Sequence, residues 1–65
     1  MARFTDKQLD EANDTYMARI DGPNGSAFAR AVGAEQDKQI ADGLELDDAF
    51  AAAVQHVTAS EQALH

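Results

Sequence analysis

Gly22-Pro23-Asn24-Gly25 is the stretch on which the fold turns. Proline has no backbone N–H and a fixed φ, while glycine and asparagine accept turn conformations, so one helix stops here and another starts beyond. A second break stands at Asp42-Gly43, where a glycine suits the end of a helix. The two breaks leave three segments, and wherever their apolar spacing is clear it is helical.

Upstream of the first break, Leu9, Ala12, Tyr16 and Ile20 recur at intervals of three and four and share a face, with Met17 at its edge. Thr5 followed three residues later by Gln8 fits a capping box, and Phe4 and Leu9 on either side of it fit the accompanying apolar staple. Downstream, Ser26 is read as the N-cap of the second helix, with Phe28, Ala29 and Val32 as its early apolar face. Gly33 costs that helix about 1 kcal/mol relative to alanine. Gln36 and Gln39 interrupt the face before Ile40, so a bend at Gly33, or a second backbone approaching it, is the expectation. In the third segment Asp47 is read as the cap and Asp48 as a first-turn acid favoured by the helix dipole. Leu46, Phe50, Ala53, Val54, Val57 and Leu64 form its stripe, and Leu44 and Leu46 are expected to turn inward with Glu45 outward. Glu61 falls on the extension of that stripe, so the last turn is expected to fray or meet solvent. Clusters of β-branched residues are absent. The expected fold is all-α: one small three-helix domain with short loops over residues 1–65, with helices at about 6–21, 27–42 and 48–63.

Size and charge bound the function. A chain of 65 residues buries only about 60% of the surface its unfolded form exposes, which leaves little room for a water-excluding pocket. Cysteine is absent, which excludes disulfides, thiolate metal sites and thiol catalysis. Met1 to Gln8 is polar, so no signal peptide is expected, and the uncharged run Ala49–Ser60 is too short to span a bilayer. A cytoplasmic protein is the expectation. Twelve acids against five bases give a net charge of −7. All five bases lie within residues 1–38, and residues 39–65 carry five acids and no base. That balance disfavours direct contact with nucleic acid or an anionic membrane and favours a basic protein surface.

Tests for chemistry find no complete site, and the expectation is that the chain is not an enzyme and needs neither metal nor cofactor. His56 falls opposite Phe50 and Val54 on the third helix and His65 is the last residue. Neither has a carboxylate at a spacing that would orient it, so both read as surface histidines. Asp42-Gly43-Leu44-Glu45-Leu46-Asp47-Asp48 is acidic, but Leu44 and Leu46 break the alternation an EF-hand calcium loop requires. Gly25-Ser26-Ala27 resembles the modified-serine site of acyl carrier proteins, which are also small, acidic and helical. That resemblance implies a carrier role for Ser26. It covers three residues, and the aspartate expected before the serine and the leucine expected after it are replaced by Asn24-Gly25 and Ala27. A plain N-cap is the preferred reading.

One feature costs stability without an evident structural return. Asp6, Asp10 and Asp14 stand four apart on the first helix and so form a row with steps of about 6 Å. Asn13 and Asp21 lie close to it. Like charges at this spacing destabilise a helix by about 0.2–0.5 kcal/mol per pair, and Lys7 and Arg19 relieve this only in part. The interval resembles the phosphate repeat of a nucleic-acid strand. Asp42, Glu45, Asp47 and Asp48 would extend the face if they share its side. The bland alternative is a solvated helix face.

The functional expectation is therefore a small acidic protein-binding module, of the kind a phage-type inhibitor uses to occupy the basic surface of a nucleic-acid-binding protein. Small acidic proteins of phages and mobile elements that block host defence nucleases are similar to it in size and charge. Asp6, Asp10, Asp14, Asp21, Asp47 and Asp48 are the expected contacts. The alternatives are a homodimer or other structural adaptor pairing through the Gly33 side of the second helix, and the carrier role of Ser26.

Overall fold

The computed structural model describes residues 4–63 and contains three helices: α1 (Asp6–Ile20), α2 (Gly25–Ala41) and α3 (Leu46–Ala63). Each packs against the other two. The all-α three-helix architecture matches the sequence expectation, and no strand occurs among the described residues.

The local signals at the start of α1 work as read. The Gln8 backbone N–H donates to Thr5 Oγ1 at 3.1 Å, and the Thr5 N–H donates to Gln8 Oε1 at 2.9 Å. Two N–H groups that the helix cannot satisfy are thereby paired. Phe4 and Leu9 both pack, half-buried, against the core.

At the first break the chain turns more tightly than expected. The Gly22 N–H donates to the Arg19 carbonyl, and the Gly25 N–H donates to the Gly22 carbonyl, each at 3.1 Å. The N-cap of α2 is Asn24, which makes no side-chain cap bond, and Ser26 is an exposed residue inside the first turn. Gly25 is buried against the end of α1, and a Cβ placed there would lie 2.0 Å from the Ile20 carbonyl oxygen. Only glycine lets the two helices meet at this corner.

Gly33 does not bend α2, and no other part of the described chain packs on it. The helix runs unbroken from Gly25 to Ala41, and a Cβ at Gly33 would meet nothing within 4 Å. The helix ends in a Schellman arrangement: Gly43, at φ 104°, donates to the Ile40 carbonyl at 2.9 Å, and Leu44 N–H donates to the Gln39 carbonyl at 3.1 Å.

The α3 helix starts at Leu46, so Asp47 and Asp48 both occupy its first turn and Asp47 is not the cap. Leu44 is half-buried, but Leu46 is 64% exposed and does not join the buried stripe. The early start rotates Leu46 to the rim. Leu64 lies outside the described residues. The buried set comprises Ala12, Phe28, Val32, Ala51, Ala53, Val54 and Val57, with Tyr16, Ile20 and Phe50 packed around it. One ring from each helix meets against it, with Tyr16 6.0 Å from Phe28 and 5.1 Å edge-on from Phe50. Alanine serves α3 through small size as well as helix propensity, because Ala49, Ala51 and Ala53 have no exposed surface.

Arg19 and Glu61 join the far ends of α1 and α3. The guanidinium pairs with the Glu61 carboxylate and stacks 4.7 Å from the Phe28 ring centroid. Glu61 therefore has a cationic partner where fraying was expected, and α3 continues to Ala63. No helix among the described residues is long and apolar enough to cross a membrane.

Candidate functional site

The acids expected to make contacts fall into three groups. Asp6 and Asp10, from the first two turns of α1, and Asp47, from the first turn of α3, line a single open groove of about 650 Å³. Asn13 and Gln36 complete its polar wall, and Leu9, Leu46 and Phe50 supply apolar surface. Capping decides this geometry. The Thr5 box fixes where α1 begins, and the start of α3 at Leu46 puts Asp47 in its first turn, where it lines the groove with the α1 acids.

Asp14 is exposed one turn further along α1 and does not line the groove. Asp21 is exposed at the C-cap of the same helix, about 22 Å along the axis from Asp6 by the rise of 1.5 Å per residue. The expected row is thus one helix long, and only its first half takes part in the groove.

Asp48 does not belong to an exposed face. It is 3% exposed and its Oδ1 accepts the Phe4 N–H at 3.2 Å, so it is turned inward beneath the segment that leads into α1. Position decides between the neighbouring aspartates, because a step of one residue in a helix turns the side chain by about 100°. The further acidic cluster is likewise divided: Asp42 is exposed at the C-cap of α2 and Glu45 at the entry to α3.

Asp6, Asp10, Asp14, Asp21 and Asp47 make no ion pair with a described basic side chain. Lys7, Arg30 and Lys38 are exposed, and Arg19 is engaged with Glu61 and Phe28. The groove therefore gathers carboxylates that no described basic side chain pairs, beside an apolar floor.

Sequence reasoning missed the floor and the α2 wall. Phe50 and Leu46 were both assigned to the buried stripe, whereas both line the groove. Gln36 was seen only as a flaw in the apolar face of α2. The usable signal was that polar arc itself, since a helix that stops being apolar midway has a wet side there.

A second depression of about 430 Å³ between α2 and α3 is lined by residues including Phe28, Ala31, Glu35, His56 and Val57. His56 is largely exposed, as read, but its Nε2 lies 3.9 Å from Glu35 Oε2, a carboxylate contributed by the other helix. The Gln39 amide donates to Glu35 Oε1 at 3.3 Å. No sequence spacing predicts such a neighbour. His65 lies outside the described residues.

No protein-family model, curated protein or solved structure matches the chain.

Proposed function

We propose that the chain is a small acidic protein-binding module that docks on a basic surface of a partner, in the manner of an inhibitor occupying a nucleic-acid-binding face. The observation that carries this reading is the convergence of Asp6, Asp10 and Asp47, from two helices, on one groove without a compensating described cation. Three carboxylates at one concavity raise the local negative potential, which accelerates encounter with a cationic surface. Asp14 and Asp21 extend the negative edge along α1 and would meet a partner large enough to cover the helix. The absence of cysteine and the acidic balance fit a cytoplasmic setting among nucleic-acid-binding proteins.

The test is capture of the partner from source cells, followed by binding at increasing ionic strength and in competition with nucleic acid. Affinity should fall steeply with salt, and DNA or RNA should displace the protein. A tight complex indifferent to both would overturn the proposal.

A second reading, self-association, is favoured by the exposure of Met17, Ile40 and Leu46 at 51%, 41% and 64%. Sedimentation over a wide concentration range tests it, and a strict monomer at high concentration excludes it.

A further inference from the structure

The acidic groove has a floor that phosphate mimicry does not need. A surface that only imitates a nucleic-acid strand requires spaced negative charge. Here Leu46, 64% exposed, stands with Leu9 and Phe50 between carboxylates from two helices. Exposed leucine next to aspartate is unfavourable in water and becomes favourable when an apolar group covers it while cations meet the acids.

We propose that the groove receives a cationic amphipathic segment of a partner protein: one large apolar side chain seated on Leu9, Leu46 and Phe50, flanked by Lys or Arg reaching Asp6, Asp10 and Asp47. This deepens the acidic-docking reading and rests on it. Charge complementarity selects the occupant. A phosphate-bearing ligand or an anionic lipid surface meets three carboxylates and is repelled. A second copy of this chain seated groove to groove brings the same three carboxylates of each copy face to face, because a two-fold contact is self-complementary only if each patch tolerates itself. An uncharged apolar segment would cover Leu46 and leave the acids to lose water without compensation. A segment with both characters satisfies every lining group, and Asn13 and Gln36 remain available to its backbone or polar side chains.

The experiment uses the full chain and two synthetic alanine-based peptides of about 25 residues, beyond the length at which isolated helices are marginal. Both carry the same lysines; one has leucines along a single face and the other has glutamines in their place. Binding is read by fluorescence anisotropy, and the contact site by chemical-shift changes in the ¹⁵N-labelled protein. The leucine peptide should bind at least about tenfold more tightly, the ratio that one buried leucine supports. Its shifts should centre on Leu9, Leu46 and Phe50, and Leu46→Gln should remove most of the difference between the peptides. Because Leu46 is exposed, this variant keeps the fold, which circular dichroism checks. Equal binding of the two peptides, weakened by salt, overturns the apolar seat and leaves acidic docking standing. Leucine-peptide binding that survives Asp6→Asn, Asp10→Asn and Asp47→Asn together overturns the acidic reading as well. Failure of both peptides to bind overturns both.

Discussion

The backbone N–H of Phe4 donates to Asp48 Oδ1 at 3.2 Å, joining residues 44 positions apart. The bond places the residue just before the α1 cap over the first turn of α3, and Asp48 is buried beneath it. Replacing Asp48 by alanine should destabilise the fold by about 1–3 kcal/mol, the range for losing a hydrogen bond to a charged group together with its buried contacts. The exposed neighbour, Asp47→Ala, should cost much less. Chemical denaturation of the two variants measures the contrast, and equal losses would refute the assigned roles.

Two glycines of α2 should respond to alanine in opposite directions. Gly33→Ala introduces a methyl into open space and improves helix propensity, so it should stabilise by about 0.5–1 kcal/mol. Gly25→Ala drives a methyl into the Ile20 carbonyl and should destabilise by more than its propensity gain. Thermal unfolding of both gives the sign directly.

Asp21 and Asp42 are the C-caps of α1 and α2, where the helix dipole is negative. Asp21→Lys and Asp42→Lys should each raise stability by about 0.3–1 kcal/mol at low salt, and the gain should shrink as salt is added. Melting temperatures at two ionic strengths provide the measurement.

Neutralising the α1 row separates binding from folding. Asp10→Asn with Asp14→Asn should leave the protein folded and stabilise it by a few tenths of a kcal/mol, because like charges four residues apart are relieved. Asp6 should not follow them, since as the first-turn acid of α1 it gains from the dipole. Partner affinity should drop in all three single variants, and most for Asp6 and Asp10, which line the groove. A loss of folding in the double variant would show the row to be structural.

What the sequence made legible was local. Thr5 and Gln8, three residues apart, and Asp42-Gly43 act within one turn of chain, so their chemistry can be read without knowing the fold. The features that escaped depend on how helices cross. Asp47 and Asp48 are adjacent and chemically identical, yet one lines the groove and the other lies beneath Phe4. Glu35 meets His56, and Arg19 meets Glu61, across different helices. The start of α3 at Leu46 rather than beyond Asp47 turned a presumed core leucine into surface. The α1 acids were identified by spacing, but their meeting with Asp47 depends on interhelical geometry that spacing does not encode.

Ala49, Ala51 and Ala53 are wholly enclosed, so the centre of α3 is filled by its own backbone and three methyl groups. Such an interior has no slack. A branched side chain at any of these positions acts as a wedge between helices, and overpacking of that kind costs about 1–3 kcal/mol. The spacing of the helices, and with it the width of the groove, therefore depends on these three methyl groups staying small.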